Sequence, residues 1–181
     1  MATKDIAYIA LFAALTAALA LFPPITVPLI NVPITAQTLG VMLAGSILGA
    51  RRGGLALVLF LGLVAIGLPV LAGGRGGLSV FAGPTAGFLV AWPLGAFVVG
   101  LLVERVWPRL NLATAFVANL VGGIGVIYVF GIAWLVVGFG VDPVAAVTGS
   151  AAFVPGDLIK AGIAATVAVT VKRAYPLIAR A

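Results

Sequence analysis

Asp157 and Lys160 stand three residues apart at the head of a segment in which Ala161 to Val171 are all Ala, Gly, Ile, Val or Thr. Positions i and i+3 of a helix share a face, so the acid and the base project in one direction. Inside a bilayer each charge costs on the order of 3 kcal/mol near the centre. Such a pair persists where it closes on itself, lines a wet cavity or meets a ligand. Ionised Asp157 only accepts hydrogen bonds and Lys160 only donates them. Together they suit a ligand carrying both donors and acceptors. The alternative is a structural i,i+3 ion pair, with Asp157 also favoured at a helix N-terminus.

Other chemistry is narrowly bounded. The chain has no cysteine and no histidine, and its only carboxylates are Asp5, Glu104, Asp142 and Asp157. Disulfides, thiolate nucleophiles, imidazole bases and the usual zinc sites are excluded. No metal cage and no resident cofactor are expected. With so few acids there is no acid–base pair for a membrane enzyme. The run Gly73-Gly74-Arg75-Gly76-Gly77 lacks the Gly-Lys-Ser/Thr ending of a nucleotide-binding loop. The net charge of +6 does not point to nucleic acid, because the bases flank apolar segments instead of forming one patch.

The elements that must position the pair are membrane spans. Hydrophobic residues make up 64% of the chain and charged residues 8%, against roughly 25% charged in a soluble domain. The expected fold is a single all-α integral membrane domain over residues 1–181, with six transmembrane helices near 6–22, 37–50, 55–68, 84–103, 112–137 and 155–171. The first segment, following Lys4, reads as a retained span and not a cleaved signal peptide. Pro23, Pro24, Pro28 and Pro33 make residues 23–35 an extended, apolar stretch folded back into the protein. Gly53 and Gly54 are expected to turn the chain between the second and third spans. Pro93 is expected to kink the fourth, and residues 139–149 to form a loop. No internal repeat is evident.

Six spans place Lys4, Arg51, Arg52, Arg105, Arg109, Lys172, Arg173 and Arg180 on one side and only Arg75 in a loop on the other. By the positive-inside rule both termini are cytoplasmic. The Pro-rich stretch, the Gly-rich loop and the turn before Pro155 then share the outer side with Asp157 and Lys160. Irregular backbone at that depth lines a cavity or is buried in protein, so a substrate pocket near the outer face is expected. Candidate ligand contacts beside the pair are Thr35, Gln37, Gly73, Gly74, Arg75 and Asn119. Each has a plainer role open to it. Thr35, Gln37 and Thr38 suit the capping of the second helix, the glycines a turn, Arg75 a solvated loop, and Asn119 a bond to a neighbouring helix. Ala10 and Ala14 give small-xxx-small spacing on the first helix, open either to packing within the chain or to a partner.

Three motifs carry a resemblance. Val32-Pro33-Ile34-Thr35-Ala36-Gln37-Thr38-Leu39-Gly40, then Gly67-Leu68-Pro69-Val70 through Gly73-Gly74 and Gly83-Pro84-Thr85, then Pro155-Gly156-Asp157-Leu158-Ile159-Lys160 occur in order across nearly the whole chain. Together they resemble the BioY family, the biotin-specific S components of energy-coupling-factor transporters. The resemblance implies a six-helix membrane protein of a prokaryotic cell membrane that binds biotin on the outer face. It also implies partners, namely a transmembrane coupling subunit and two cytoplasmic ATPase subunits, with Ala10 and Ala14 docking the former. It places Asp157 and Lys160 in the biotin site and adds Pro84, Thr85 and Phe88 as candidates. Where the family usually reads Gly-Pro-Thr-Gly-Gly-Tyr this chain has Gly83-Pro84-Thr85-Ala86-Gly87-Phe88, so a phenol is missing there while apolar stacking remains. The expected function is high-affinity biotin capture for uptake, without catalysis. The alternative is a self-contained small-solute transporter or channel driven by an ion gradient.

Overall fold

The structure, a computed structural model, describes residues 2–175 and 177–178. Arg180 lies outside the described residues. The chain is predominantly helical. In order it runs α1 (Thr3–Ala18), a short hairpin of β1 (Ile25–Val27) and β2 (Val32–Ile34), α2 (Gln37–Leu48), α3 (Ala50–Ala65), α4 (Ala86–Arg105), α5 (Leu112–Asn119), a π-helical turn (Leu120–Val126), α6 (Ile127–Phe139), α7 (Pro143–Ala151) and α8 (Val154–Ala174). Four helical segments are long and apolar enough to cross a membrane: residues 3–21, 86–105, 112–139 and 154–174. The last includes the charged pair. α2 has only 12 residues, about 18 Å at 1.5 Å each.

α2 is the centre of the molecule. Ten of its residues, including every position from Gly40 to Leu48, are buried, and α1, α3, α4 and α8 all pack on it. Small residues let the backbones approach, as is usual where lipid offers no hydrophobic drive. Gly40 faces Thr16 of α1, and Gly45 faces Ala96 and Val99 of α4. On α8 the inward face is Asp157, Ala161, Ala164, Ala165 and Ala168, while Leu158 and Ile159 are exposed to the lipid side. Asp157 and Lys160 thus share the face turned toward α2, as the i,i+3 spacing requires.

The π-helical turn has a similar basis. Gly95 of α4 and Gly122 lie against each other with no room for a side chain, and Gly123 lies against Met42 of α2. One wide turn sets the rotation of everything that follows, including Tyr128.

Two expectations are corrected. The turn between the second and third helices falls at Gly49, with φ +84°, so Arg51, Arg52, Gly53 and Gly54 belong to the first turns of α3. The reason lies far along the chain: a carboxylate oxygen of Glu104 accepts from Ala50 N–H at 2.8 Å and satisfies the start of α3. Residues 143–151 form a helix and not a loop. Asp142 caps α7 by accepting from Ala145 N–H at 3.0 Å, Pro143 takes the first position, and the segment is rich in Ala. α4 runs as one helix from Ala86 to Arg105 with Pro93 inside it.

The Pro-rich stretch is extended and folds back, as read from the sequence. It is an antiparallel hairpin that pairs Ile25 with Ile34 and Val27 with Val32, and it buries Ile30 and Val32. Ile30 sits on Gly149 of α7, so hairpin and α7 together cover the end of the bundle next to the first turns of α2 and α8. The basic residues gather at the opposite end. Arg52 pairs with Asp5 at 3.4 Å and donates to Leu177 C=O, and Lys172 lies over the Trp107 ring.

A side chain at Gly95 would press on Gly122 C=O at 2.8 Å and Ile127 at 3.0 Å. Gly95→Leu is therefore expected to cost more than about 2 kcal/mol and to lower the thermal midpoint of the purified protein. Gly62, with open space around it, is expected to accept Ala with no loss.

Candidate functional site

The first turns of α2 and α8, the hairpin, the glycine loop, α4 and α6 line a pocket with about 530 Å³ of space counted out to its open mouth. Its walls are largely apolar and aromatic, with Leu71, Phe88, Trp92, Ile127 and Phe153 among them. Phe88, Tyr128 and Phe153 pack edge to face, their ring centroids 6.0–6.4 Å apart. Trp92 stacks on Phe60 behind them at 5.8 Å.

One compact polar cluster interrupts this wall. Lys160 Nζ donates to Asp157 Oδ1 at 2.8 Å, to Thr38 Oγ1 at 2.9 Å and to Thr35 C=O at 2.6 Å. Thr38 Oγ1 donates to Asp157 Oδ1 at 3.0 Å, and Tyr128 O–H donates to Asp157 Oδ2 at 2.7 Å. All three ammonium protons are used. The carboxylate takes three bonds and has capacity for one more. Both side chains are largely withdrawn from solvent, Asp157 at 4% and Lys160 at 14% side-chain exposure. A bare charge at that depth is costly, and pairing with complete hydrogen bonding is what offsets it. The ion pair and the ligand site are therefore not alternatives: the pair is closed on itself and also lines the cavity.

Gln37 does a different job from capping. Its side chain is fully buried, donates to Thr16 C=O and Val70 C=O at 3.0 Å each, and accepts from Ala72 N–H at 2.8 Å. It thereby ties α1, α2 and the glycine loop together beneath the cavity wall. Gly73 and Gly74, with φ +79° and +68°, form the reversal that bonds Leu71 to Arg75 in both directions. They act through the turn they make, which carries Leu71 and Arg75 to the cavity. Arg75 is half buried, and that burial lowers its pKa from the ordinary arginine value. Its Nε donates to Ala72 C=O at 3.2 Å, and it has no carboxylate partner among the described residues.

Of the residues singled out from sequence, Thr35, Gln37, Arg75, Thr85, Phe88, Asp157 and Lys160 line the cavity. Gly73, Gly74 and Pro84 line a wider recess outside it, and Pro33, Arg75 and Thr85 border both. Asn119 is not at the cavity. It bonds Ser46 of α2 at 3.1 Å and Ala115 C=O at 2.9 Å, because the helix that carries it turns that face toward α2. On α1, Ala10 and Ala14 are exposed, while Ile9, Phe12, Ala13 and Thr16 face inward.

Tyr128, Trp92 and Phe153 were not singled out from sequence. A tyrosine in a long apolar span is a signal, since a buried phenol needs a partner. Nothing in the sequence, however, says that the partner is Asp157. The ring of Tyr128 lies edge to face with that of Phe88, its centroid 6.4 Å away.

Long apolar helices around a mostly apolar cavity with one neutralised charge pair define a multi-pass membrane protein with a pocket suited to a small, amphipathic ligand. Residues 1–177 match the BioY family, and the chain belongs to it. It is 54% identical to the biotin transporter BioY of Rhizobium etli, with 98% of each chain covered. It is 48% identical to that of Rhodobacter capsulatus, over 96% of this chain and 95% of the relative. Among solved structures it resembles the crystal structure of the S-component for biotin from an ECF-type ABC transporter, with a TM-score of 0.89, 30% identity and 96% and 95% coverage.

Tyr128→Phe is expected to leave Asp157 Oδ2 without its donor and to destabilise the ligand-free protein by about 1.5–3 kcal/mol. Thermal unfolding of the wild-type and variant proteins in the same detergent measures it.

Proposed function

We propose that this chain is the biotin-binding membrane subunit of a vitamin uptake system, an S component that captures biotin at the outer face of a prokaryotic plasma membrane. The observation that carries the reading is the match between cavity and ligand in a member of the BioY family. Biotin has an apolar bicycle and chain, a ureido group with N–H donors and a C=O acceptor, and a carboxylate. The aromatic wall suits the first, Asp157 has room to accept one bond from the second, and Lys160 donates to it by exchanging one of its three internal bonds.

The two ends of the ligand are distinguished by charge. Asp157 and Lys160 neutralise each other at 2.8 Å, and a carboxylate placed there would meet like charge. Arg75 stands where the cavity opens into the outer recess, with its remaining guanidinium donors available. In this reading the ureido ring lies at Asp157 and Lys160 and the carboxylate lies toward Arg75. Thr35 and Thr85 border the ligand, Phe88 stacks on it, and Gln37 holds the wall.

The topology we propose has six spans: α1, α2, α3, α4, α5 through α6 as one, and α8, with both termini cytoplasmic. Support comes from the gathering of bases at the end opposite the cavity. The chain carries no nucleotide-binding motif, so energy would come from partners: a transmembrane coupling subunit and two cytoplasmic ATPase subunits. The exposed Ala10 and Ala14 face of α1 is the proposed dock for the first.

Purified protein is expected to retain one biotin, read by native mass spectrometry. Asp157→Asn and Lys160→Ala are each expected to weaken biotin binding about tenfold or more, the effect of losing a buried charged hydrogen bond. Wild-type affinity in both variants, with folding verified by thermal unfolding, would refute the assigned site. Replacing the carboxylate of biotin by a primary amide is expected to weaken binding to wild-type protein but hardly to Arg75→Gln. An equal loss in both would remove Arg75 from the carboxylate.

A further inference from the structure

Far from the biotin cavity, two apolar depressions on the flank formed by α4, α5, the π-helical turn and α6 meet at Val121. The first is floored by Ala113 and Ala118, and Arg105 stands at its edge. The second continues past Gly125 to Phe130. From Ala113 to Phe130 the combined groove is about 26 Å long at 1.5 Å per residue, comparable with the hydrocarbon core of about 30 Å. Small residues hollow it out: a side chain at Gly125 would meet only Leu120 C=O, at 3.6 Å. Val117, Val129 and Phe130 on its walls are exposed by 55%, 67% and 49%, so it opens sideways.

The charge distribution at its two ends is unequal. Arg105 at one end is exposed, as is Arg109 on the turn that follows, and neither has a carboxylate partner among the described residues. The nearest acid along the chain, Glu104, is held by Ala50 N–H at the start of α3. The far end, at Phe130, is apolar. A guanidinium at the edge of a groove of near acyl length, with a second on the turn that follows, is complementary to a phosphate head group with a hydrocarbon tail.

We propose that this groove is a binding site for one anionic phospholipid, its head group on Arg105 and Arg109 and one acyl chain laid along α5, the π-helical turn and α6. The site contains none of the residues assigned to biotin, so a failure of either assignment leaves the other standing. A zwitterionic lipid presents the same phosphate beside a cation, and the two guanidiniums therefore favour the anionic head group. One guanidinium near an anionic head group contributes about fivefold in affinity.

The test uses the full chain in mixed micelles containing equal amounts of phosphatidylglycerol and phosphatidylcholine with matched chains. Native mass spectrometry is expected to show phosphatidylglycerol retained over phosphatidylcholine, a preference reduced about fivefold in Arg105→Gln and retained in Arg105→Lys. Gly125→Leu, which fills the groove, is expected to lose both lipids while still holding biotin. Equal retention of the two lipids by wild-type protein, or an unchanged preference in Arg105→Gln, overturns the proposal. A photo-crosslinker at Val117 is expected to yield a lipid adduct. A dimer adduct in its place would assign the groove to a second copy of the chain and overturn it as well.

Discussion

Lys160 places all three of its protons inside the protein, and the acceptors they reach come from three places in the fold: Thr35 after the hairpin, Thr38 in the first turn of α2 and Asp157 in the first turn of α8. Tyr128 of α6 adds a donor to Asp157. Burial of a charge in so apolar a chain is tolerable only when every donor and acceptor is met. That requirement holds the cavity in shape. Moving α2 against α8, or rotating α6, would strand a charge. The network also explains why α2 is short. It begins at the polar cluster instead of continuing to the membrane boundary, and the space above it is left to the cavity and the hairpin that covers it.

The glycines and alanines serve this constraint. Close approach between α4 and the π-helical turn, between α2 and α4, and between α1 and α2 depends on Gly95, Gly122, Gly45 and Gly40, none of which has room for a Cβ. Packing at that distance sets α6 in the rotation that aims the Tyr128 hydroxyl at Asp157. Gln37 works on the same principle with hydrogen bonds, joining α1, α2 and the glycine loop through three contacts from one buried amide. The result is a preformed cavity wall whose ammonium donors are all paired, so a ligand that bonded Lys160 would have to exchange bonds there. Exchange of this kind favours a ligand with both donors and acceptors over one that carries a single charge.

The chain is asymmetric along the membrane normal. One end collects Asp5 and Glu104 with Lys4, Arg51, Arg52, Arg105, Arg109, Lys172 and Arg173, in exposed or half-exposed positions. The other end is built from backbone that is not regular helix, closed by the hairpin, the glycine turn and α7. Such backbone survives at membrane depth because its polar groups are met within the protein, as when Trp134 donates to Gly83 C=O at 3.0 Å.

What the sequence determined by itself was whatever depends on local chemistry and on transfer from water. Apolar runs and terminal bases established a helical membrane protein. Four prolines established an extended segment. The i,i+3 spacing established that Asp157 and Lys160 share a face. Gly73 and Gly74 were legible as a turn. The tertiary structure alone decided whatever depends on groups distant in the chain. Residues 143–151 could be read as a loop until Asp142 was seen to cap them, and the α2–α3 turn moved to Gly49 because Glu104, more than fifty residues on, supplies the acceptor. Asn119 was open either to a ligand or to a neighbouring helix, and the packing of its helix aims it at Ser46. Tyr128 was legible as a phenol in need of a partner, and only the packing of its helix sets it on Asp157. The physical reason is the same in each case. A hydrogen bond has direction, and the direction of a side chain is set by how its helix packs on helices that local sequence does not specify.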